Sequence, residues 1–168
     1  MRLYNRAVCS DWAGQLNHEQ PRRLLGLDVG SRRIGMAVSD PLGITAQGID
    51  TLQRRNKRTD FQQLAKVIRN YKVAEIIVGL PLRLSGADSA QTEKVTAFAE
   101  ELRSKFQLPV HLWDERLTSV QANRLLREAE LSIEKRAASV DRMAAVLILQ
   151  SFMDAHPICH SERFEESH

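Results

Sequence analysis

The clearest hydrophobic pattern in the chain is a pair of apolar runs, residues 24–29 and 34–39, joined by a turn that contains glycine and two arginines. Short apolar runs bounded by turn residues are typical of strands, so the pair predicts a β-hairpin. One charged residue, Asp28, lies near the end of the first run. An unpaired buried charge costs several kcal/mol, and we therefore expect Asp28 to face a cleft in which a cation, such as a metal ion, compensates it.

Asp28 also has a purely structural alternative. An Asp-x-Gly sequence after an apolar run is turn chemistry, in which Asp28 closes the hairpin through an Asx turn and Gly30 supplies a positive φ. Other carboxylates that reach the same place favour the functional interpretation.

The rest of the pattern predicts a third antiparallel strand and then alternating helices and strands. In chain order we expect a turn at 39–43, a strand at 44–52, a basic loop at 54–58, a helix capped by Thr59 and Asp60 and ending near Lys72, a strand at 75–81, a loop at 82–90, a helix at 95–106, a strand at 109–113, a helix at 118–129, a loop at 130–138 and a last helix capped by Ser139. An antiparallel meander followed by right-handed crossovers predicts an α/β fold with a five-stranded mixed sheet, order 3-2-1-4-5, flanked by helices.

Carboxylates follow two of the predicted parallel strands. Strands one, four and five share a carboxyl edge, where ligands bind in open α/β sheets. Asp28 belongs to the first of them, Asp114 and Glu115 follow the fifth, and Asp141 is expected in the first turn of the last helix. Carboxylates with no His or Cys beside them suit Mg²⁺ or Mn²⁺ rather than zinc, and two ions about 4 Å apart could bridge the edge.

Each of the later acids has its own structural alternative. Glu115 could pair with Arg116 or Arg124, and Asp141 could favour the helix N-terminus electrostatically, an effect of about 0.3 to 1 kcal/mol. The basic loop at 54–58 is equally a solvated connection or a phosphate contact.

Composition favours one globular domain with a basic surface. The chain has 168 residues, 43% of them hydrophobic, and a net charge of +3; residues 22–156 hold 21 Lys and Arg against 16 Asp and Glu. The pattern predicts a flexible extension at 1–21, one domain at 22–156 and a flexible tail at 157–168. Both cysteines lie in the predicted tails, and no segment resembles a secretion signal or a membrane span, so we expect a cytoplasmic protein.

Four motifs in order carry a family resemblance. They are 26–35 with 37–40, Val78-Gly79-Leu80-Pro81, Asp114-Glu115-Arg116-Leu117-Thr118 and Val140-Asp141-Arg142-Met143-Ala144-Ala145. Together they closely resemble the YqgF/RuvX family of Holliday-junction-resolvase-like proteins, regarded as the nuclease that matures the 5′ end of pre-16S ribosomal RNA. The resemblance covers roughly residues 22–156. It implies an RNase H-like fold in which Asp28, Glu115 and Asp141 are the catalytic, metal-binding acids.

The resemblance further implies a metal-dependent endonuclease in ribosome biogenesis, a hydrolase of phosphodiester bonds with Mg²⁺ or Mn²⁺ in a two-metal site and with pre-rRNA and the pre-30S ribosome as partners. Four arginines near the acids in sequence are candidates for binding nucleic-acid phosphates: Arg32, Arg33, Arg116 and Arg142. Each of them is equally a surface charge or a partner for a nearby acid.

Three alternatives in function remain open from the sequence. The first is a Holliday junction resolvase that acts on branched DNA, and the second is a non-catalytic RNA-binding ribosome assembly factor. The third is an actin-like ATPase, since residues 28–31 resemble that group's first phosphate loop, although the chain is short for two nucleotide-clamping lobes. Endonucleolytic or exonucleolytic action and monomer or homodimer are equally open.

Overall fold

One mixed sheet of five strands organises the part of the chain that the computed structural model describes, residues 23–80, 89–114 and 133–156. The strands are β1 Arg23–Val29, β2 Arg33–Ser39, β3 Ala46–Gln53, β4 Val73–Leu80 and β5 Val110–Asp114, and the helices are α1 Lys57–Tyr71, α2 Ser89–Phe106 and α3 Ile133–Ala155. The order is β3-β2-β1-β4-β5, with β1, β4 and β5 parallel and the two hairpin pairs antiparallel. The predicted order and strand directions are confirmed.

The two faces of the sheet bury different residues because side chains alternate along a strand. Leu25, Leu27 and Val29 of β1 belong to the larger core, together with residues of α1 and α2. The helical members of that core are Phe61, Leu64, Val95, Phe98, Ala99 and Leu102. On the opposite face, Ala37 and Ile77 pack with residues of α3. Asp28, one residue before Val29, therefore lies on the face that α3 covers.

Glycines on β1, β2 and β3 allow α3 to lie directly against the sheet. A Cβ added at Gly26 would come within 2.7 Å of the Leu149 Cβ, and one at Gly35 would come within 1.9 Å of the Asp141 carbonyl oxygen. On β3, a Cβ at Gly48 would meet the Arg142 Cγ at 2.5 Å. A larger residue at Gly26 or Gly35 would push the helix away, so these two positions set the depth at which α3 packs, whereas at Gly48 the flexible side chain of Arg142 can move aside.

The turn between β2 and β3 is built by one carboxylate. Asp40 Oδ1 accepts backbone N–H bonds from Ile44 at 2.6 Å and from Thr45 at 2.9 Å, and Gly43 takes the left-handed conformation with φ 67°. Burial raises the pKa of Asp40, but the N–H bonds from Thr45, Ile44 and Leu42 outweigh it, so the pKa lies below its usual value. The predicted turn at this place is confirmed.

The structural alternative for Asp28 gave Gly30 a positive φ, and this part of it is wrong, since Gly43 is the glycine with positive φ in the part of the chain described here. Gly30 instead donates its N–H to the Arg33 carbonyl oxygen at 2.9 Å, and an added Cβ would lie 2.8 Å from that same oxygen. The hairpin needs glycine here for close approach of two backbones rather than for an unusual dihedral angle.

Three predicted helix starts are wrong. The helix expected at 95–106 is α2, which begins at Ser89, so the last two residues of the loop expected at 82–90 are helical. Asn56, and not Thr59 or Asp60, caps α1, because its side chain accepts the Thr59 N–H at 2.9 Å. The last helix begins at Ile133 rather than at Ser139, so the loop expected through residue 138 is helical from 133 onward. Glu, Lys, Arg and Ala dominate this stretch, and they are polar or small but good helix formers.

The earlier start of α3 changes the place of Asp141, which lies well inside the helix instead of in its first turn. Helix-dipole effects fall off within the first turn, so the electrostatic alternative for Asp141 no longer holds. The predicted helix at 118–129, most of the predicted loop at 82–90 and both tails lie outside the described residues. No helix in the described ranges has the length and apolarity that crossing a membrane requires.

Candidate active site

Asp28 lies one residue from the end of β1, on the α3 face of the sheet, and is partly buried. Its direct cross-strand partner on β2 is Gly35. Because β1, β4 and β5 are parallel, the ends of all three strands meet at this edge, where Leu80 of β4 is paired with Asp114 of β5. The edge is the one at which open α/β sheets bind ligands.

Asp141 reaches this point from α3, which packs on the face of the sheet that carries Asp28. Its carbonyl oxygen lies 1.9 Å from the position that a Gly35 Cβ would occupy. The residue that covers Gly35 is therefore an acid, and the residue beside Gly35 in the sheet is also an acid. Directly opposed residues in an antiparallel pair have Cα atoms only about 5 Å apart. The fold thus brings Asp28 and Asp141, far apart in sequence, to the same place.

Arg33 provides a positive charge in direct contact with this site. Its Nε donates to Asp141 Oδ2 at 2.6 Å, and the two side chains are 27% and 25% exposed. A short charge-assisted bond of this kind fixes the orientation of the carboxylate. Among the described residues, no donor is bonded to Asp141 Oδ1. The structure therefore places Arg33 on an acid, which was the alternative left open by the sequence; contact with a phosphate stays a prediction.

The other candidate arginines divide into two groups. Arg32 and Arg142 are exposed, and in the described ranges neither guanidinium has an ion pair. The Cγ and Cδ atoms of Arg142 lie over Gly48 of the edge strand β3. Arg116 and the third predicted acid, Glu115, lie outside the described residues.

The donor chemistry of the two described acids fits a hard divalent cation. Both residues supply carboxylate oxygens, the ligand type preferred by Mg²⁺ and Mn²⁺. Within residues 23–80, 89–114 and 133–156, no three His, Cys, Asp or Glu side chains group closely enough to hold a metal by themselves. A metal site here therefore needs a donor from elsewhere, such as Glu115, water or substrate.

Asp60 is a buried acid that supports the turn following β1, the strand of Asp28. The sequence pattern did not indicate a functional role for it. Asp60 is 2% exposed and accepts the Arg55 N–H at 3.1 Å and the Arg54 Nε at 3.5 Å. Arg54 Nη1 in turn donates to the Gly30 carbonyl oxygen at 2.8 Å. These bonds tie the hairpin turn to the start of α1. The sequence signal was an acid in the first turn of a helix beside a basic run, which suggested only a cap and a loop.

Comparison with known proteins gives a family for the chain. The family model described as "RuvX: Holliday junction resolvase" matches residues 22–155. A relative from Koribacter versatilis is 62% identical over 140 residues, which cover 83% of this chain and 92% of the relative. A relative from Clostridium novyi is 51% identical over 133 residues, 79% of this chain and 98% of the relative. Both carry the name "Putative pre-16S rRNA nuclease".

Solved structures with the same fold have little sequence similarity to the chain. T. thermophilus RuvC in complex with Holliday junction substrate has a TM-score of 0.50 at 12% identity, covering 81% of this chain and 96% of that one. Fowlpox virus resolvase with substrate Holliday junction DNA has a TM-score of 0.50 at 13% identity, covering 81% and 99%. The expected RNase H-like fold is confirmed. By its matched residues and its relatives, the chain belongs to the RuvX family of Holliday-junction-resolvase-like proteins.

Proposed function

We propose that the chain is a metal-dependent endonuclease that hydrolyses phosphodiester bonds at the 5′ end of pre-16S ribosomal RNA. The observation that carries the proposal is the convergence of Asp28 and Asp141 at Gly35, on the carboxyl edge of three parallel strands. The shared name of the relatives supports the substrate and its place in ribosome biogenesis. The pre-30S ribosome is the corresponding partner, and the cytoplasm is where the substrate is made.

In this mechanism Asp28, Glu115 and Asp141 would hold two divalent ions, Mg²⁺ or Mn²⁺. Glu115 is taken from the family resemblance as the third acid, and in the sequence it directly follows Asp114, the last residue of β5. Bound ions of this class supply Lewis acidity for the attack of water on phosphorus and for departure of the 3′ oxygen.

The remaining residues of the site orient and bind. Arg33 holds the Asp141 carboxylate in one orientation, which keeps Oδ1 directed for a ligand. Arg32 and Arg142, exposed beside the acids, and Arg116 bind the phosphates of the substrate as point or bidentate cations. The proposed nuclease domain is residues 22–156, and the predicted extensions 1–21 and 157–168 lie outside the described residues.

Branched DNA is a second candidate substrate. The description of the matching family and the junction-bound structures with the same fold favour it. Phosphate contacts from arginines serve RNA and DNA equally, so the two substrates must be separated by experiment.

The test is incubation of the purified protein with an RNA that carries the 5′ precursor of 16S rRNA, and separately with a four-way DNA junction, each with Mg²⁺, Mn²⁺ or EDTA. We expect cleavage of the RNA with either ion and none with EDTA. Asp28→Asn and Asp141→Asn should each reduce the rate by more than the roughly 10- to 100-fold typical of outer-shell partners.

Asp154→Asn is the matched control, because Asp154 lies near the other end of α3 and its Oδ1 only accepts a bond from Gln150. It should cleave like the unaltered protein. If the protein cleaves the junction but not the RNA, the substrate is branched DNA and the proposed RNA substrate is wrong. RNA cleavage in EDTA, or cleavage that is unchanged in both Asp28→Asn and Asp141→Asn, would overturn the metal-dependent mechanism.

A further inference from the structure

A concavity with charged side chains in its lining lies on the face of the sheet opposite to Asp28. It is a groove of about 560 Å³ between the first turn of α1 and the part of α2 from Gln91 to Glu101. Its charged lining contains four basic side chains, Arg54, Arg55, Lys57 and Lys94, and two acids, Asp60 and Glu101. The groove is therefore net positive, unlike the site on the other face, where the described acids converge.

The cations of the groove differ in whether they have partners. Arg54 is held by Asp60 and by the Gly30 carbonyl oxygen. Lys57 contacts Glu101 at 2.7 Å, but the lysine is 71% exposed, and an ion pair so exposed stabilises little. Arg55 and Lys94 are exposed and have no ion pair among the described residues. At least two charges are thus available to an anion.

The backbone at the start of α1 adds to the positive electrostatic potential of the groove. Asn56 caps α1 at the rim of the groove and accepts the Thr59 N–H through its side chain. The N–H groups of the first two helical residues, Lys57 and Arg58, have no acceptor within the helix. The N-terminus of this helix consequently reinforces the positive side chains around the groove.

The groove and the acid site share the end of one strand. Val29, the residue after Asp28, lines the groove, and its carbonyl oxygen accepts the Gln91 side-chain N–H at 3.2 Å. The two sites therefore begin at neighbouring residues of β1, on opposite faces of the sheet. Phosphates of one strand follow each other at about 3.4 Å along the axis, so a strand that leaves the acids around the sheet edge reaches the groove within a few nucleotides.

We propose that this groove, lined by Arg54, Arg55, Lys57 and Lys94, binds phosphate groups of the nucleic-acid strand that flanks the cleaved bond. The proposal rests on the proposed nuclease function and extends its substrate surface to the second face of the sheet. Recognition is of phosphate, without reading of base sequence, because the available groups are cations and N–H donors. Arg55 and Lys94 carry the affinity.

The experiment is equilibrium binding of a labelled precursor RNA by fluorescence anisotropy over a series of salt concentrations, with Asp28→Asn as the background so that the RNA stays intact. Adding Arg55→Gln and Lys94→Gln should weaken binding about tenfold and lower the slope of log affinity against log salt by about 1 to 2, since each lost phosphate contact removes about 0.7. In the active protein the same pair should raise KM and not lower kcat.

The matched control is Lys66→Gln with Arg69→Gln, which removes the same charge from exposed positions of α1 outside the groove. It should leave the salt slope unchanged. An equal change in RNA affinity and salt slope in both double variants would overturn the groove proposal, because it would mean that net charge alone determines binding. Tight binding of inorganic phosphate or a mononucleotide, with RNA affinity unchanged by the groove variants, would also overturn it.

Failure of the groove and failure of the nuclease are distinguishable. If the unaltered protein cleaves RNA while the groove variants bind it normally, the groove proposal is wrong and the nuclease stands. If the groove variants lose RNA affinity and salt slope but no metal supports cleavage, the groove is an RNA-binding surface of a non-catalytic protein and the nuclease is wrong.

Discussion

Arg33 has both a structural and a chemical effect, because Asp141, the acid that it orients, is also a proposed metal ligand. The Nε to Oδ2 distance of 2.6 Å leaves no room for an ion between the two groups. A guanidinium so close repels a divalent cation while it holds the carboxylate in place. The two effects act on different measurable quantities, which are metal affinity and turnover.

Arg33→Gln should therefore lower the Mg²⁺ concentration needed for half-maximal activity and at the same time lower kcat, by about 10- to 100-fold as for other residues that orient a ligand. The measurement is the RNA cleavage rate over a series of Mg²⁺ concentrations. Arg32→Gln is the control, because Arg32 is exposed and has no ion pair among the described residues; it should leave the Mg²⁺ dependence unchanged. Weaker Mg²⁺ binding in Arg33→Gln would contradict the repulsion.

The packing of α3 on β2 decides where Asp141 lies, and one glycine decides that packing. Gly35 leaves the space in which the backbone of Asp141 sits, whereas Gly48 leaves space for the flexible side chain of Arg142. A backbone obstacle must move the helix, but a long side chain can rotate away. The same substitution at the two positions thus separates helix displacement from crowding in general.

Gly35→Ala should destabilise the protein by about 1–3 kcal/mol, as overpacking of a close contact does. A displacement of about 1 Å is enough to lower turnover about a hundredfold, so activity should fall further than stability explains. Urea unfolding and RNA cleavage at a temperature where the variant is folded measure the two effects. Gly48→Ala is the matched control and should keep most of the activity. Equal activity in the two variants would contradict the role of Gly35.

Much of the architecture was predictable because it depends on local patterns. Apolar runs such as 24–29, bounded by turn residues, predict strands, and intervening helices require right-handed parallel crossovers. The start of α3 was not predictable in this way, since its polar first residues have the composition of a loop and the propensity of a helix.

The site was predictable only in part. Asp28 was recognisable as a costly charge in an apolar run, but the pairing of Arg33 with Asp141 depends on how α3 crosses Gly35. A contact between elements so far apart in sequence leaves no period or motif in the chain. Glu115 stays a prediction from the family resemblance and from its position after β5.

Divalent ions should couple the proposed site to the stability of the whole domain. A ligand that binds only the folded state stabilises it by RT ln(1 + [L]/Kd), about 2.7 kcal/mol at a hundredfold excess over Kd. For a domain of this size that corresponds to a rise in Tm of several degrees. The unfolded chain cannot bring Asp28 and Asp141 together, so the gain should depend on both acids.

Thermal unfolding with Mn²⁺, with Mg²⁺ and with EDTA tests this coupling without any nucleic acid. We expect either ion to raise the Tm of the unaltered protein, and we expect Asp28→Asn and Asp141→Asn each to abolish most of that rise, since removal of one carboxylate weakens binding and lowers [L]/Kd. Asp154→Asn should keep it, because that side chain is exposed and bonded only to Gln150 among the described residues. A rise that persists in both site variants would mean that the ions bind elsewhere, and the two acids would then need another explanation than metal binding.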